Sequence, residues 1–142
     1  HLWTRAHAGL FDVSHMGQVR VSGPDAEAAL ERALPVDFDA WPVGRQRYSL
    51  LLDDAGGIVD DVMVMRLPEG VRMVVNASGR ERDLAWLRAR CPALAFELAD
   101  EALLALQGPA AEGVLAALAP EARELAFMQA AWCTLEGTRS LV

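Results

Sequence analysis

Residues 46–78 have the sequence QRYSLLLDDAGGIVDDVMVMRLPEGVRMVVNAS, in which two short turns separate three strand-forming runs. The runs are QRYSLLL, IVDDVMVMRL and VRMVVNAS, and their β-branched, aromatic and aliphatic residues favour extended structure. DDAGG and PEG supply the turns, because Gly adopts the positive φ that such turns need. Extended runs joined this closely pair as neighbours, so the stretch predicts an antiparallel three-stranded meander.

The middle run contains an unusual pair of carboxylates, Asp60 and Asp61. Asp is depleted in strands, and a buried carboxylate is costly unless it is paired. Successive side chains on a strand point to opposite faces, so we expect Asp60 to share a face with Ile58 and Val62, and Asp61 to share the other with Val59. Two interpretations follow. One Asp caps the DDAGG turn while the other is solvated, or one is held in a cleft where desolvation raises its pKa.

Strands and helices alternate on both sides of the meander. MGQVRVSG is a predicted strand, and GPDAEAALERAL is a predicted helix with Pro24 at its first position and Asp25 and Glu27 in its first turn. GRERDLAWLRARC is a predicted helix with Leu84 and Leu87 on its buried side. The remaining elements are two short strands, ALAFEL and ALLALQG, and two helices, PAAEGVLAAL and PEARELAFM.

A similarity recurs within the chain. VRVSGPDAEAAL at residues 19–30 and LLALQGPAAEGVL at 103–115 both place a strand, Gly-Pro and a helix in order, with GPxAExxL in common. The similarity favours two related units, although Gly-Pro also serves simply as a boundary between strand and helix. The predicted fold class is therefore α+β, with antiparallel sheets, helices packed on one side, and two related strand–Gly-Pro–helix units.

Composition excludes several classes of function. The chain has 142 residues, 53% of them hydrophobic, which fits a single domain with a sizeable core. A net charge of −7, with thirteen scattered Arg and no Lys, argues against a nucleic-acid partner. No apolar run approaches the roughly 20 residues that span a bilayer, so no membrane partner is expected.

The cysteines and the two ends of the sequence indicate where the protein is located and whether the sequence is part of a longer one. Cys91 and Cys133 lack metal-binding spacing and fit two free thiols of a reducing cytoplasm, with one disulfide as the alternative. The N-terminus has neither an initiating Met nor the order of a signal peptide, and the C-terminus ends on an unfinished strand. We therefore expect a cytoplasmic protein of which residues 1–142 are a part, truncated at both ends.

Other catalytic and binding motifs are missing. The sequence has neither GxGxxG nor GxxxxGK[ST], the loops that bind phosphates. Its three His lie within the first fifteen residues without a metal-ligand spacing, so we expect no metal site. Ser14 precedes His15 directly, and no elbow motif presents it as a nucleophile. The acidic pair is thus the main candidate for chemistry.

Four motifs in register resemble one family. AGLFDVSHMGQVRVSGPDA, RQRYSLLLDDAGGIVDDVMV, MVVNASGRERDLAWL and LLALQGPAAEGVL are similar to the glycine cleavage system T-protein, the folate-dependent aminomethyltransferase, over nearly the whole chain. The resemblance implies that residues 1–142 are a partial folate-binding region from the N-terminal portion of that enzyme. It implies transfer of the one-carbon unit from the aminomethyl group on the lipoyl arm of H-protein to tetrahydrofolate, with release of ammonia.

The resemblance also implies roles for single residues. The second Asp of GGxxDD, Asp61 here, corresponds to the carboxylate near the folate nitrogens, and Asp60 is then structural. Met16, Tyr48 and Asn76 are expected to line the pterin pocket, since a flat heterocycle needs an apolar or aromatic wall and a polar partner.

Two other folate-binding classes and an inactive fragment stand as alternatives. One is the unit fused to dimethylglycine or sarcosine dehydrogenases, which a flavin-binding fold upstream would distinguish. The other is a non-catalytic relative of the iron–sulfur maintenance type, which is expected to lack the combination of DVSHMG and GGxxDD that this chain has.

Overall fold

The computed structural model describes residues 1–142 and divides them into two compact units. One comprises residues 15–101, and the other combines residues 1–14 with 102–142. In chain order the elements are α1 Leu2–Ala6, β1 Gly9–Asp12, β2 Gly17–Ser22, α2 Ala26–Ala33, β3 Arg45–Leu52, β4 Ile58–Leu67, β5 Gly70–Val75, α3 Arg80–Arg90, β6 Ala95–Leu98, β7 Leu104–Gln107, α4 Ala111–Leu118, β8 Trp132–Leu135 and β9 Thr138–Leu141. Two 3₁₀ turns cover Phe38–Ala40 and Pro120–Glu124.

The unit of residues 15–101 is built on one five-stranded antiparallel sheet. Its strand order is β3-β4-β5-β2-β6, so the predicted meander is confirmed as β3-β4-β5. Helices α2 and α3 pack on one face, as predicted. The core between sheet and helices includes Val19, Leu30, Val62, Val64, Met73, Val75, Leu84 and Leu87. The opposite face of the sheet is not covered by α2 and α3, and the candidate site lies on that face.

The start of α2 differs from the prediction. The helix begins at Ala26, with Asp25 as its N-cap, so Pro24 lies before the helix and Glu27 is the acidic residue of the first turn. Asp25 adopts a left-handed conformation, with φ of 47°, that the first turn of a helix cannot contain. The left-handed Asp25 therefore separates Pro24 from the first residue of the helix.

The strand–Gly-Pro–helix plan is present in both units. Gly23 joins β2 to the segment before α2 with φ of 135°, and Gly108 does the same between β7 and α4 with φ of 115°. Such values are accessible to Gly and strained for residues with a Cβ. The two corners thus share a backbone conformation as well as a sequence pattern.

The other unit contains two small sheets. β1 pairs antiparallel with β7, and β8 pairs antiparallel with β9. The sequence predicted β7, α4 and a strand at the C-terminus, where β9 lies, but it predicted neither β1 nor the hairpin that β8 and β9 form. The predicted helix in PEARELAFM is wrong beyond its start, because only the 3₁₀ turn Pro120–Glu124 forms.

Cys91 and Cys133 are both buried free thiols, in agreement with the first of the two expectations. Burial raises the pKa of each thiol, which keeps it protonated and unreactive at neutral pH. The longest helix, α3, has eleven residues, and none of the helices has the length and apolar character to cross a bilayer.

Candidate functional site

A small pocket lies on the sheet face opposite α2 and α3. Cross-strand register aligns Tyr48 with Met63, and Met63 with Val74, so these three side chains form one row across β3, β4 and β5. The pocket has a volume of about 220 Å³, and its lining is Met16, Gln46, Tyr48, Asp61, Val62, Met63, Val74 and Asn76. One carboxylate and two amides therefore stand among apolar and aromatic side chains, which is the usual makeup of a ligand site.

A β-bulge lies immediately before the two carboxylates in β4. Leu51 pairs with Asp60, but the next pair joins Leu52 to Ile58, so Val59 has no partner on β3. Bulges re-aim side chains and are common beside active sites. Val59 packs against the core, which contradicts its predicted place on the face of Asp61.

Asp60 is held by groups from three elements. Its side chain is 16% exposed and forms an ion pair with Arg82 of α3. Its Oδ1 accepts hydrogen bonds from the Asn76 amide at 2.8 Å and from the backbone N–H of Asp61 at 2.9 Å. Burial acts to raise the pKa of Asp60, but these hydrogen bonds and the Arg82 charge outweigh it and leave the pKa below its usual value. Asp60 is thus a fixed, ionised anchor.

Asp61 is exposed and lies at the pocket. Its Oδ1 accepts from the Asn76 amide at 3.1 Å, and its backbone carbonyl accepts from the same amide at 3.3 Å. Since no protein group donates to Asp61 Oδ2, that oxygen is available to a ligand. The Asn76 amide points its NH₂ at the acidic pair, so its Oδ1 is left as a second available acceptor.

A third carboxyl, Asp83, lies beneath the pair and was missed by the sequence analysis. Its side chain is fully buried, and its Oδ1 accepts from Arg82 Nε at 3.2 Å. Burial raises the pKa of Asp83, and the Arg82 hydrogen bond offsets only part of that rise. Asp83 lies four residues before the buried Leu87 on α3, so its spacing could have assigned it to the buried side of the helix.

Comparison with known proteins identifies the family. The model of the GCVT N-terminal domain matches residues 1–142. The chain belongs to the GCVT N-terminal domain family. It is 49% identical over 124 residues to the aminomethyltransferase of Cutibacterium acnes, covering 83% of this chain and 33% of that protein. It is 50% identical over 119 residues to the aminomethyltransferase of Rubrobacter xylanophilus, covering 81% and 32%.

A solved structure agrees with this assignment. The crystal structure of glycine cleavage system aminomethyltransferase T from Bartonella henselae matches with a TM-score of 0.83 and 44% sequence identity, covering 92% of this chain and 37% of that one. The resemblance to the T-protein and the α+β fold are thereby confirmed. This GCVT N-terminal domain spans about a third of the length of the relatives it matches.

The four residues predicted for the site of this GCVT domain lie around one pocket. Asp61, Met16, Tyr48 and Asn76 all line it, and Tyr48 is 68% exposed. Their roles stay predictions. The interpretation in which one Asp of the acidic pair caps the turn is wrong, because Asp53 does so: its Oδ1 accepts from the backbone N–H of Ala55 at 2.9 Å and of Gly57 at 2.7 Å. The interpretation of a raised pKa fails for Asp60, whose pKa is lowered.

Proposed function

We propose that this GCVT domain is the folate-binding part of an aminomethyltransferase of the glycine cleavage system. The full-length gene product then transfers the one-carbon unit from the aminomethyl group on lipoylated H-protein to tetrahydrofolate and releases ammonia. The observation that supports this best is Asp61, an exposed carboxylate with a free oxygen beside a pocket lined by Tyr48 and Met63. We also propose a cytoplasmic location, which the sequence led us to expect.

The residues at the pocket fit a pterin ring. Tyr48, Met63 and Val74 form an apolar and aromatic row across three strands, which suits the face of a heterocycle. Asn76 Oδ1 is fixed as an acceptor, and a reduced pterin carries N–H donors at its edge. The volume of about 220 Å³ is below the roughly 300–1,000 Å³ of most ligand pockets. This domain would therefore hold one part of tetrahydrofolate and leave the rest to other contacts.

In this proposal Asp61 acts by electrostatics and proton handling. Tetrahydrofolate supplies the nucleophilic nitrogens that accept the one-carbon unit. The free Oδ2 of Asp61 stabilises positive charge that develops near those nitrogens, and it can hold a proton during the exchange. Assistance of this kind contributes on the order of 10²–10⁴ in rate. Asp60 and Asn76 keep Asp61 in place through the hydrogen bonds described above.

Substrate choice tests the proposal. The full-length gene product is mixed with tetrahydrofolate and, separately, aminomethyl-lipoyl H-protein, dimethylglycine or sarcosine, and release of ammonia and formation of methylenetetrahydrofolate are followed. Of the three substrates, we expect only aminomethyl-lipoyl H-protein to be turned over. We expect the Asp61→Asn variant to turn it over more slowly, by a factor of about 10²–10⁴. Asp54→Asn, at a side chain that is 92% exposed, is the matched control and is expected to keep its rate.

Two outcomes would contradict the proposal. Turnover of dimethylglycine or sarcosine in place of H-protein would assign the domain to the dehydrogenase-linked class. Folate binding without turnover of any substrate would favour the non-catalytic class.

A further inference from the structure

The buried carboxyl of Asp83 has too few partners for a charged group. Its side chain is fully buried, and Arg82 is the cation in contact with it. Arg82 also pairs with Asp60, so one guanidinium serves two carboxyls. Asp83 Oδ2 is buried and accepts no hydrogen bond from any donor. An ionised Asp83 would thus leave half of a buried carboxylate unsatisfied, which is strongly unfavourable.

The geometry shows where that oxygen is directed. Asp60 Oδ2 and Asp83 Oδ2 converge on the space above Gly79, because a Cβ built on Gly79 would collide with both, at 2.8 Å in the case of Asp83 Oδ2. Two carboxyls that approach each other cannot both be ionised without repulsion, whereas one proton shared between them gives a hydrogen bond. Their mutual influence acts to lower the pKa of Asp60 and to raise that of Asp83.

We propose that Asp83 is a positioning residue of the candidate site, which holds a proton on Oδ2 and donates it to Asp60. Asp60 in turn fixes the Asn76 amide and the backbone N–H of Asp61. Protonated Asp83 therefore orients Asp61 from two residues away, without contact with the ligand. This role in the site rests on the proposed function, whereas the protonation of Asp83 does not.

The sign of the pH dependence follows from the groups around Asp83. The charged side chains that act on it are Asp60 from β4 and Arg82 from α3. Burial and Asp60 favour the neutral form, and Arg82 opposes them. The unfolded chain ionises Asp83 above about pH 4, while the folded chain, in which the pKa of Asp83 is raised, keeps the proton to a higher pH. Wild-type stability therefore falls, relative to a variant that is neutral at this position, as pH rises above about 4.

Asp83→Asn tests the protonation state. Asn keeps one acceptor for Arg82 Nε and one donor for Asp60, so it imitates a protonated Asp. Urea unfolding of the full-length gene product is measured from acidic to neutral pH, with Asp54→Asn as the control for loss of an exposed carboxylate. We expect the unfolding constant of wild type, divided by that of Asp83→Asn, to rise by up to about tenfold per pH unit above about pH 4. A ratio that is flat or falls would show that Asp83 is ionised and would overturn the proposal.

Tetrahydrofolate affinity tests the positioning role. Asp83→Ala removes the donor, and we expect it to raise the Kd for tetrahydrofolate about tenfold, the usual effect of losing a hydrogen bond to a charged group. Asp83→Asn restores the donor and is expected to weaken binding clearly less than Ala does. Equal Kd values for the two variants would overturn positioning. Should Asp83→Ala fail to fold, Asp83→Asn alone decides. A rise in its Kd for tetrahydrofolate as large as that of Asp61→Asn would also overturn the positioning role. Absence of folate binding by wild type would refute the proposed function and leave the pH test intact.

Discussion

Adjacent aspartates at residues 60 and 61 have opposite environments because of the backbone between them. Asp60 and Asp61 keep consecutive cross-strand pairs with Leu51 and Leu50, so strand alternation places their side chains on opposite faces. Asp60 receives three donors and is 16% exposed, whereas Asp61 shares one donor and faces the pocket. The pair therefore combines an anchored carboxylate with one that is open to the pocket in two consecutive residues.

The anchor makes stability depend on pH in the acidic range. The pKa of Asp60 is lower in the folded chain than in the unfolded one. Its contribution is therefore fully present above the unfolded value of about 3.9, and it is lost as pH falls through the folded value. We expect Asp60→Asn to destabilise the protein by about 1–3 kcal/mol at neutral pH. Urea titrations should show that this difference shrinks below about pH 4, and a difference that grows there would contradict the assignment.

The sequence predicted the open part of the site better than the buried part. Met16, Tyr48, Asn76 and Asp61 belong to recognisable motifs, and the pairing of β3, β4 and β5 brings three of them together. Helical spacing could have placed Asp83 on the buried side of α3, but not close to Asp60, because that approach depends on Gly79 and Arg82 at the start of the helix. Contact between a helix and a strand end has no periodicity that a single sequence displays.

Among the elements, α3 depends on the lack of a side chain at its N-cap. Gly79 has an ordinary right-handed conformation, with φ of −92°, so its importance is space and not backbone freedom. A Cβ there would collide with Asp60 Oδ2, Arg82 Nη2 and Asp83 Oδ2. We expect Gly79→Ala to destabilise the protein by about 1–3 kcal/mol and to weaken tetrahydrofolate binding.

Gly113 offers the matched control, because it lies inside α4 with open space around its Cβ position. Gly113→Ala should stabilise by about 0.5–1 kcal/mol, the helix-propensity gain of Ala over Gly. Thermal and urea unfolding of both variants measure the effect. Similar stability changes for the two would contradict the crowding at Gly79.

A different contact ties β2 to β5 across the sheet. Arg20 and Arg72 lie directly opposite each other, which would be repulsive if they were alone. The Glu101 carboxylate pairs with both, and its Oε2 accepts from Arg72 Nη1 at 2.7 Å. The hydrogen bond from Arg72, with help from Arg20, lowers the pKa of Glu101 despite its partial burial.

Glu101→Gln should therefore weaken the sheet. We expect a loss of about 0.5–1 kcal/mol at neutral pH, since the pairs are partly exposed. The lowered pKa means that wild type loses this contribution as pH falls below about 4, so the two proteins converge there. Glu124→Gln, at an exposed position of the other unit, is the control for urea titrations. If the free energies of unfolding of wild type and Glu101→Gln still differed by the same amount below about pH 4, the ion-pair account would be contradicted.

Errors in the predicted elements arose where local signals were weak. Pro24 is a common first residue of a helix, yet the left-handed Asp25 moves the start of α2 to Ala26. Although β6 and β7, which are equally short at four residues, were predicted from their apolar runs, β1 and the β8–β9 hairpin were missed. Their stability depends on pairing with strands distant in sequence or across a tight turn, and short runs show no such pairing in advance.

For the whole molecule, the proposed activity is consistent with the family assignment and with the lining of the pocket. The GCVT N-terminal domain spans about a third of its relatives, and its pocket is smaller than a complete ligand site. The net charge of −7 gives no reason to expect an electrostatic attraction for the anionic tail of a folate. Recognition by this domain is therefore expected to rest on the ring, through Tyr48, Asn76 and Asp61.

Calorimetric titration of tetrahydrofolate tests the central claim most directly. The full-length gene product, Asp61→Asn and Asp54→Asn are compared under the same conditions. The account predicts binding by wild type and Asp54→Asn with the same Kd, and a Kd at least about tenfold higher for Asp61→Asn, as for loss of a charged hydrogen bond. Equal affinity of the two variants would contradict the assignment of Asp61, and absence of binding in all three would contradict the folate site itself.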